Sequence, residues 1–117
     1  PDHGRVRRVM ESDTGPYIVP ICLLGELTYL VEQRLPPMAM AALLTDLESG
    51  MFVRDAGRQD IPRIRHLIHR YADFPLGFVN AAVVACAERH GGNVLTLDVR
   101  HFGAVAREGT ITLPLLK

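Results

Sequence analysis

Residues 78–102 read FVNAAVVACAERHGGNVLTLDVRHF. Ala81–Ala87 is apolar at every position, which predicts a helix buried on all sides with Asn80 at its entrance. Glu88–Gly92 predicts the end of that helix, because cations and glycines suit a helix C-terminus. Val94–Leu97 is typical of a buried parallel strand. Asp98 comes next, and a carboxylate at the carboxyl end of such a strand is a candidate site residue.

The composition is that of an ordinary globular protein. The chain has 117 residues, 48% of them hydrophobic and 22% charged, which predicts one domain over residues 1–117. The formal net charge is zero, so binding to nucleic acid would need a local basic patch.

Cysteine usage and hydropathy indicate the compartment. Cys22 and Cys86 lie in apolar helical patterns, so we expect buried free thiols in a reducing cytoplasm. The longest apolar runs fall well short of the roughly 20 residues that cross a bilayer, so no membrane association is expected.

Short helical and strand patterns alternate along the chain. The predicted helices are Arg5–Met10, Pro20–Arg34, Met38–Glu48, Ile61–Ala72 with Asp60 as its cap, and a short helical turn at Arg100–Ala106. The predicted strands are Tyr17–Val19, Met51–Val53, Val94–Leu97 and Thr110–Leu113, with turns at Asp13–Pro16 and Asp73–Gly77. This order predicts an α/β fold with a parallel sheet covered on both faces.

The helix predicted at Ile61–Ala72 has two distinct faces. One face is apolar and comprises Ile61, Ile64, Ile68 and Tyr71. The opposite face carries Arg63, His66, His69 and Arg70. The two histidines, three residues apart, suit either a metal site or, as we favour, a solvated surface.

Glu26 is the most informative polar residue. It lies inside the apolar stripe Cys22, Leu23, Leu27 and Leu30 of the helix that begins at Pro20. An unpaired buried carboxylate costs several kcal/mol, so Glu26 either faces a cleft, pairs with an arginine or curls to solvent.

Three further polar residues have a structural and a functional interpretation. Asp98 either contributes to a site or caps the backbone around Arg100. Asn80 either contributes to a site or satisfies N–H groups at the start of its helix. Asp73, before Pro75, is favoured as a turn-former over a ligand.

Acids that converge at the carboxyl edge of a sheet suggest a divalent-metal site. Mg²⁺ and Mn²⁺ prefer carboxylate oxygens and keep several waters. Such ions would clamp the attacking and leaving oxygens of a phosphodiester.

Three segments together resemble the PIN domain, and specifically the VapC toxin ribonucleases of bacterial toxin–antitoxin pairs. They are Tyr17–Leu30, Tyr71–Ala82 and Leu95–Phe102, and their order fits the family across nearly the whole chain. The resemblance implies a three-layer α/β/α sandwich with a central parallel sheet. It also implies Mg²⁺- or Mn²⁺-dependent cleavage of RNA, a homodimer and inhibition by a cognate VapB antitoxin.

The resemblance also assigns residues. Glu26 and Asp98 are the expected metal-binding acids and, with Asn80, the catalytic set; Thr96 and Asp73 match positions beside the site. Arg100, Arg63 and Arg70 are candidate contacts to RNA phosphates, although for Arg63 and Arg70, as for His66, a structural surface is the favoured interpretation.

Two departures from the family pattern modify this expectation. The family begins with a central strand that ends in aspartate, and Pro1–His3 instead resembles the family's segment just after that strand. The family has aspartate where this chain has Asn80, whose amide can ligate through oxygen but carries no charge. We therefore expect an N-terminally incomplete PIN-like domain that is an impaired nuclease and folds poorly alone, unless rearrangement or a neighbouring chain fills the gap.

Two other functions stay open. A catalytically inactive PIN-like module would sequester antitoxin or hold RNA, with the antitoxin lying in apolar grooves beside Pro20–Arg34 and Met38–Glu48. A plain α/β interaction domain would use its acids for structure alone, so that Glu26→Gln would lower stability.

Overall fold

A computed structural model describes residues 17–50, 52–55, 57–96 and 98–114, together with residues 4 and 8. The helix predicted at Arg5–Met10, apart from Arg8, and the turn at Asp13–Pro16 lie outside the described residues. The chain divides into two compact units, which are described one at a time. We call Gly15–Gly57 the sheet unit and Arg58–Lys117 the helical unit.

The sheet unit contains two parallel strands joined by two helices. Its elements are β1 (Tyr17–Pro20), α1 (Ile21–Arg34), α2 (Pro37–Glu48) and β2 (Phe52–Asp55). Tyr17 pairs with Phe52 and Pro20 with Asp55, so the strands are in register along their full length. The predicted strands and helices of this region are confirmed to within two residues at each described end, and so is the parallel pairing.

Prolines and a glycine set the helix limits of this unit. Pro20 occupies the N-cap position of α1, and Leu35 is extended with φ −122° and ψ 159° because Pro36 comes after it. Pro37 begins α2, where its missing N–H has no intrahelical partner to lose. Gly50 ends the segment with φ 87°, a conformation that glycine adopts without strain.

The helices of the sheet unit expose much of their apolar surface. Among Ile21–Arg34 and Pro37–Glu48, no residue is fully buried. Cys22, Leu23 and Leu27 of the predicted stripe are half-buried, and Leu30 is 40% exposed. The exposed apolar side chains of the two helices also include Ile21, Tyr29, Met38 and Leu44.

The helical unit is organised around the helix predicted to be buried. Its elements are a 3₁₀ turn (Arg58–Asp60), α3 (Ile61–Arg70), α4 (Phe78–Arg89) and α5 (Val99–Ala106). α4 packs against α3, α5 and the 3₁₀ turn. Its buried residues are Ala81, Ala82, Val84, Ala85 and Cys86, so the prediction for this helix is confirmed.

The apolar face of α3 is buried only in part. Ile64 and Leu67 are buried, whereas Ile61 and Ile68 are 46% and 40% exposed. The exposed pair lines an open groove of about 550 Å³ with Phe78. His66 and His69 are exposed, so the solvated surface predicted for them is confirmed.

The strands predicted at Val94–Leu97 and Thr110–Leu113 are wrong for the residues that the structure describes in them. These segments meet in one parallel bridge between Asn93 and Thr112. The backbone N–H of Val94 donates to Thr112 at 2.9 Å, and that of Thr112 donates to Gly92 at 2.7 Å. Gly92 has φ 85°, and a Cβ there would lie 2.9 Å from the Thr110 carbonyl oxygen. The two segments approach each other closely at Gly92 and Thr110. The described residues of 93–96 and 110–113 form no strand ladder apart from the Asn93–Thr112 bridge.

Ion pairs tie α3 to the elements around it. Asp60 occupies the N-cap position of α3, as predicted, but its side chain forms no cap hydrogen bond. Its carboxylate instead accepts two hydrogen bonds from Arg89. Arg63 donates to both Glu88 oxygens, at 2.9 and 2.8 Å. Glu108 accepts hydrogen bonds from Arg63, Arg70 and Tyr71, so it joins α3 to the end of α5.

Candidate metal and RNA site

Asp98 is the N-cap residue of α5. Its Oδ1 accepts a hydrogen bond from the backbone N–H of His101 at 3.0 Å. Its Oδ2 lies 2.9 Å from Nδ1 of His101, so Nδ1 carries the proton and donates to the carboxylate. The capping interpretation of Asp98 is therefore confirmed, and the same contacts fix the orientation of its carboxylate.

The environment of Asp98 keeps its carboxylate ionised. The hydrogen bond from the His101 backbone lowers the pKa of Asp98, and it outweighs the opposing effect of burial. The His101 side chain and the charges of His101 and Arg100 lower it further. The Asp98 side chain is still 38% exposed. Because an ionised carboxylate has about four lone-pair positions, acceptor capacity remains for a ligand.

Thr96 and Asn80 belong to the same unit as Asp98. The hydroxyl oxygen of Thr96 accepts a hydrogen bond from the Asp98 backbone N–H at 3.0 Å, so Thr96 shapes the backbone at the candidate site. Asn80 lies in the first turn of α4 and is half-buried. Among the described residues its side chain forms no hydrogen bond to the start of α4, where Gly77 is the N-cap.

Arg100 and Asp73 flank an aromatic contact near Asp98. The Arg100 guanidinium lies over the Phe74 ring, 5.1 Å from its centroid. The rings of Phe74 and His101 are 5.3 Å apart with an interplanar angle of 43°. Asp73 precedes Phe74 in the turn after α3 and is exposed. Contacts of Arg100 with RNA stay a prediction.

The two other arginines predicted to contact RNA form ion pairs within the protein. Arg63 binds Glu88 at 2.8 Å and Glu108 at 3.4 Å, and its side chain is 27% exposed. Arg70 binds Glu108 at 3.2 Å and is 55% exposed. These pairs fit the structural surface that the sequence favoured for both residues, while a role in RNA binding stays a prediction.

Glu26 lies in the sheet unit, at an exposed position on α1. Of the three environments considered from the sequence, the structure places it in contact with solvent. Exposure leaves the carboxylate available to a ligand, and its proposed role with Asp98 stays a prediction.

His101 and Phe74 are the residues whose contribution the sequence analysis missed. His101 lies inside the Leu95–Phe102 segment, and both Asp98 oxygens accept hydrogen bonds from it. The spacing Asp98-x-x-His101 at a helix start could have indicated it, because an N-cap side chain reaches the N–H of the third helical residue. The Phe74–Arg100 contact joins residues 26 positions apart (100 minus 74), and no local pattern predicts it.

The comparison with known proteins defines the class. Residues 1–108 match the PIN domain family, so the chain belongs to that family and the predicted α/β fold class is confirmed. Ribonuclease VapC26 of Mycobacterium tuberculosis is 33% identical to this chain over 107 residues, which cover 90% of this chain and 79% of that protein. The chain is accordingly a VapC-type PIN-domain protein, as its sequence motifs predicted.

No helix within the described residues combines the length and the apolar character that a bilayer span requires.

Proposed function

We propose that this chain is a VapC-type endoribonuclease that depends on Mg²⁺ or Mn²⁺ and that is impaired by Asn80. The observation that carries the proposal is the carboxylate of Asp98, ionised, oriented by His101 and still accessible. It lies in a chain that belongs to the PIN family and is similar to Ribonuclease VapC26.

The donor chemistry of these residues fits a hard divalent cation. Asp98 offers a carboxylate whose pKa is lowered chiefly by the His101 backbone, and Asn80 offers a neutral amide oxygen. Glu26, an exposed carboxylate, joins the proposed set on the family resemblance alone. Oxygen donors of this kind are what Mg²⁺ and Mn²⁺ prefer.

The residues of the chain have separate roles in the proposed reaction. When bound, the divalent ion supplies positive charge that stabilises the phosphodiester transition state. Asp98 holds its position through His101, and Asp98, Asn80 and Glu26 would hold the ion. Arg100 supplies a further positive charge that can neutralise an RNA phosphate. With an amide in place of one acid, the site carries less negative charge, so metal affinity and rate are reduced.

The proposed partners are RNA as substrate, a cognate VapB-type antitoxin and a second copy of the chain. The proposed location is the cytoplasm, and the proposed extent of the PIN-like domain is the whole of residues 1–117. These statements rest on membership of the VapC-type PIN family.

The test is RNA cleavage by the full chain in Mn²⁺ and in Mg²⁺, compared with Asn80→Asp. Restoring a carboxylate adds one negative charge at the site. Two opposite charges 4 Å apart gain about 4 kcal/mol at an effective dielectric of 20. Solvent screening reduces this gain, and we expect Asn80→Asp to bind Mn²⁺ on the order of tenfold more tightly, about 1.4 kcal/mol, and to cleave faster.

The control for that test is Asn80→Asp combined with Asp98→Asn. The double variant keeps the total charge of the site and loses the oriented acid, so cleavage should fall below that of the parent chain. Equal, metal-independent cleavage by all three proteins would contradict the assignment of these residues.

An inactive binding module is a second candidate, favoured by the apolar surface of the sheet unit. Tyr29 on α1 and Met38 on α2 are 62% and 76% exposed, and no residue of either helix is buried. Exposed apolar patches of this kind mark interaction surfaces. This candidate predicts antitoxin binding through α1 and α2 with no cleavage in either metal, even by Asn80→Asp.

A further inference from the structure

The turn after α3 and the first turn of α5 bring an aromatic ring and a guanidinium together. Phe74 belongs to the turn that leads to Gly77, and Arg100 is the second residue of α5. The Arg100 Cζ atom lies over the Phe74 ring, 5.1 Å from the centroid. The tilted ring of His101 packs against the same phenyl ring at 5.3 Å.

The burial of these residues shows which part is presented to a ligand. Phe74 and His101 are half-buried, while Arg100 is exposed. Among the described residues Arg100 forms no ion pair with a carboxylate, unlike Arg63 and Arg70. Phe74 therefore restrains an exposed guanidinium whose hydrogen-bonding edges are not used within this part of the protein.

A guanidinium restrained in this way can recognise a nucleobase. Arginine is planar and stacks both on aromatic side chains and on bases, and RNA-binding proteins use aromatic rings and arginine planes to hold unpaired bases. Stacking is tolerant of base identity because every base has a π-face. A surface that needed only to attract phosphate would not require the aromatic ring, since any exposed arginine supplies the charge.

The aromatic contact is also close to the candidate site. The backbone and side chain of His101 bind Asp98, and the ring of His101 packs on Phe74. Arg100 is near enough to Asp98 to stabilise its charge. A base held at Arg100 therefore belongs to a nucleotide near Asp98.

We propose that Arg100, held in place by Phe74, is a stacking platform for an unpaired nucleobase of RNA beside Asp98. Phe74 is a positioning residue in this proposal, because it acts through Arg100. The proposal rests on RNA being the substrate, as argued above, and it specifies how one nucleotide is held.

The test measures binding of a single-stranded RNA octamer that contains 2-aminopurine, whose emission falls when the base stacks. The full chain is titrated in EDTA, so that cleavage does not contribute. Arg100→Lys keeps the charge and removes the plane, while Phe74→Leu keeps an apolar side chain and removes the ring. Arg107→Lys, at an exposed position just after α5, is the matched control.

We expect both platform variants to bind the octamer more weakly. Loss of one stacked base should raise the Kd about 5- to 150-fold for Arg100→Lys and Phe74→Leu. It should also abolish the quenching of 2-aminopurine. Arg107→Lys should stay within about twofold of the parent chain, and Phe74→Tyr, which keeps the ring, should restore binding and quenching.

Three outcomes would overturn the platform. These are parent-like quenching and Kd in Arg100→Lys, equal weakening in Arg107→Lys, and no binding of the octamer by the parent chain. The first would mean that Arg100 acts only as a charge toward phosphate. If Phe74→Leu fails to fold by circular dichroism, Arg100→Lys and Phe74→Tyr decide the question alone.

The binding measurement and the cleavage measurement fail independently. Octamer binding that depends on Arg100 and Phe74 in EDTA, with no cleavage by parent or Asn80→Asp in Mn²⁺, keeps the platform and rejects the nuclease. Metal-dependent cleavage, together with parent-like 2-aminopurine quenching in Arg100→Lys, supports the nuclease and rejects the platform.

Discussion

Asp98 binds His101 at two points, the backbone N–H at 3.0 Å and the ring nitrogen Nδ1 at 2.9 Å. One carboxylate thus both starts α5 and supplies the acid proposed for metal binding. The two roles make different demands on the side chain, because a cap needs an acceptor oxygen whereas a cation needs negative charge.

Substitutions at Asp98 should separate capping from metal binding. Asp98→Ala removes the acceptor and should lower the free energy of unfolding by about 1 kcal/mol, the usual cost of a lost cap. Asp98→Asn keeps a capping oxygen, so its stability should stay near that of the parent, while Mn²⁺ binding and RNA cleavage fall. Urea denaturation and isothermal titration with Mn²⁺ measure the two effects. Equal Mn²⁺ affinity in Asp98→Asn and the parent would remove Asp98 from the proposed metal site.

The glutamates around Arg63 should make stability depend on acid pH. Burial, the largest single effect, would raise the pKa of Glu88 and of Glu108, but hydrogen bonds and the charge of Arg63 together outweigh it and lower both values. Those bonds come from Arg63 and Thr110 to Glu88, and from Tyr71 and Arg63 to Glu108.

The lowered pKa values determine the sign of the effect. The stabilisation is present above the unfolded-state pKa of about 4.3 and is lost as the pH falls through the lower folded-state values. We expect the free energy of unfolding to decline below about pH 4.3, and the decline to be shallower in Glu108→Gln. Glu32→Gln, at an exposed position on α1, is the matched control. Parallel slopes in all three proteins, measured by urea titration, would contradict the role of this network.

The pair Asp60–Arg89 should be costly to break from one side. Asp60 is 4% exposed, and Arg89 Nη2 donates to its Oδ2 at 2.8 Å. Arg89→Met leaves a buried carboxylate without this donor and should destabilise the chain by about 3 kcal/mol. The double variant Asp60→Leu/Arg89→Met should regain most of that loss, and Arg107→Met should change stability by less than about 0.5 kcal/mol. Additive losses in the double variant would show that the pair is not coupled.

Glu26→Gln should separate a structural acid from a functional one. Because Glu26 is exposed on α1, the substitution should change the free energy of unfolding by no more than about 0.5 kcal/mol. If Glu26 joins the proposed metal site, the same variant should bind Mn²⁺ more weakly. Gln33→Glu, at another exposed position of α1, controls for the local charge. A large loss of stability in Glu26→Gln would favour the plain interaction domain.

Local chemistry predicted the helices well. Pro20, Pro36 and Pro37 mark the limits of two helices, and the apolar run Ala81–Ala87 predicted where the buried helix lies. These signals act within a few residues, so one sequence is enough to read them.

Contacts between distant residues could not be predicted from the sequence. Val94–Leu97 has the composition of a strand, but a ladder also needs a partner held alongside it, and the described residues form one bridge to Thr112. Aspartate is a favoured N-cap residue, but the Asp60 carboxylate is bound by Arg89, which lies 29 residues further along the chain. The apolar stripe around Glu26 contains no fully buried residue, and amphipathic spacing does not show whether another element covers a helix face.

Backbone conformation, rather than side-chain chemistry, determines which substitutions position 92 tolerates. Its φ of 85° disfavours an L side chain, and the Thr110 carbonyl occupies the space that a first methyl group would need. Alanine, the smallest replacement, therefore meets the same obstacle as tryptophan, and chemical similarity is no guide to which variants survive. The bridge between Asn93 and Thr112 therefore relies on a neighbouring position that carries no side chain.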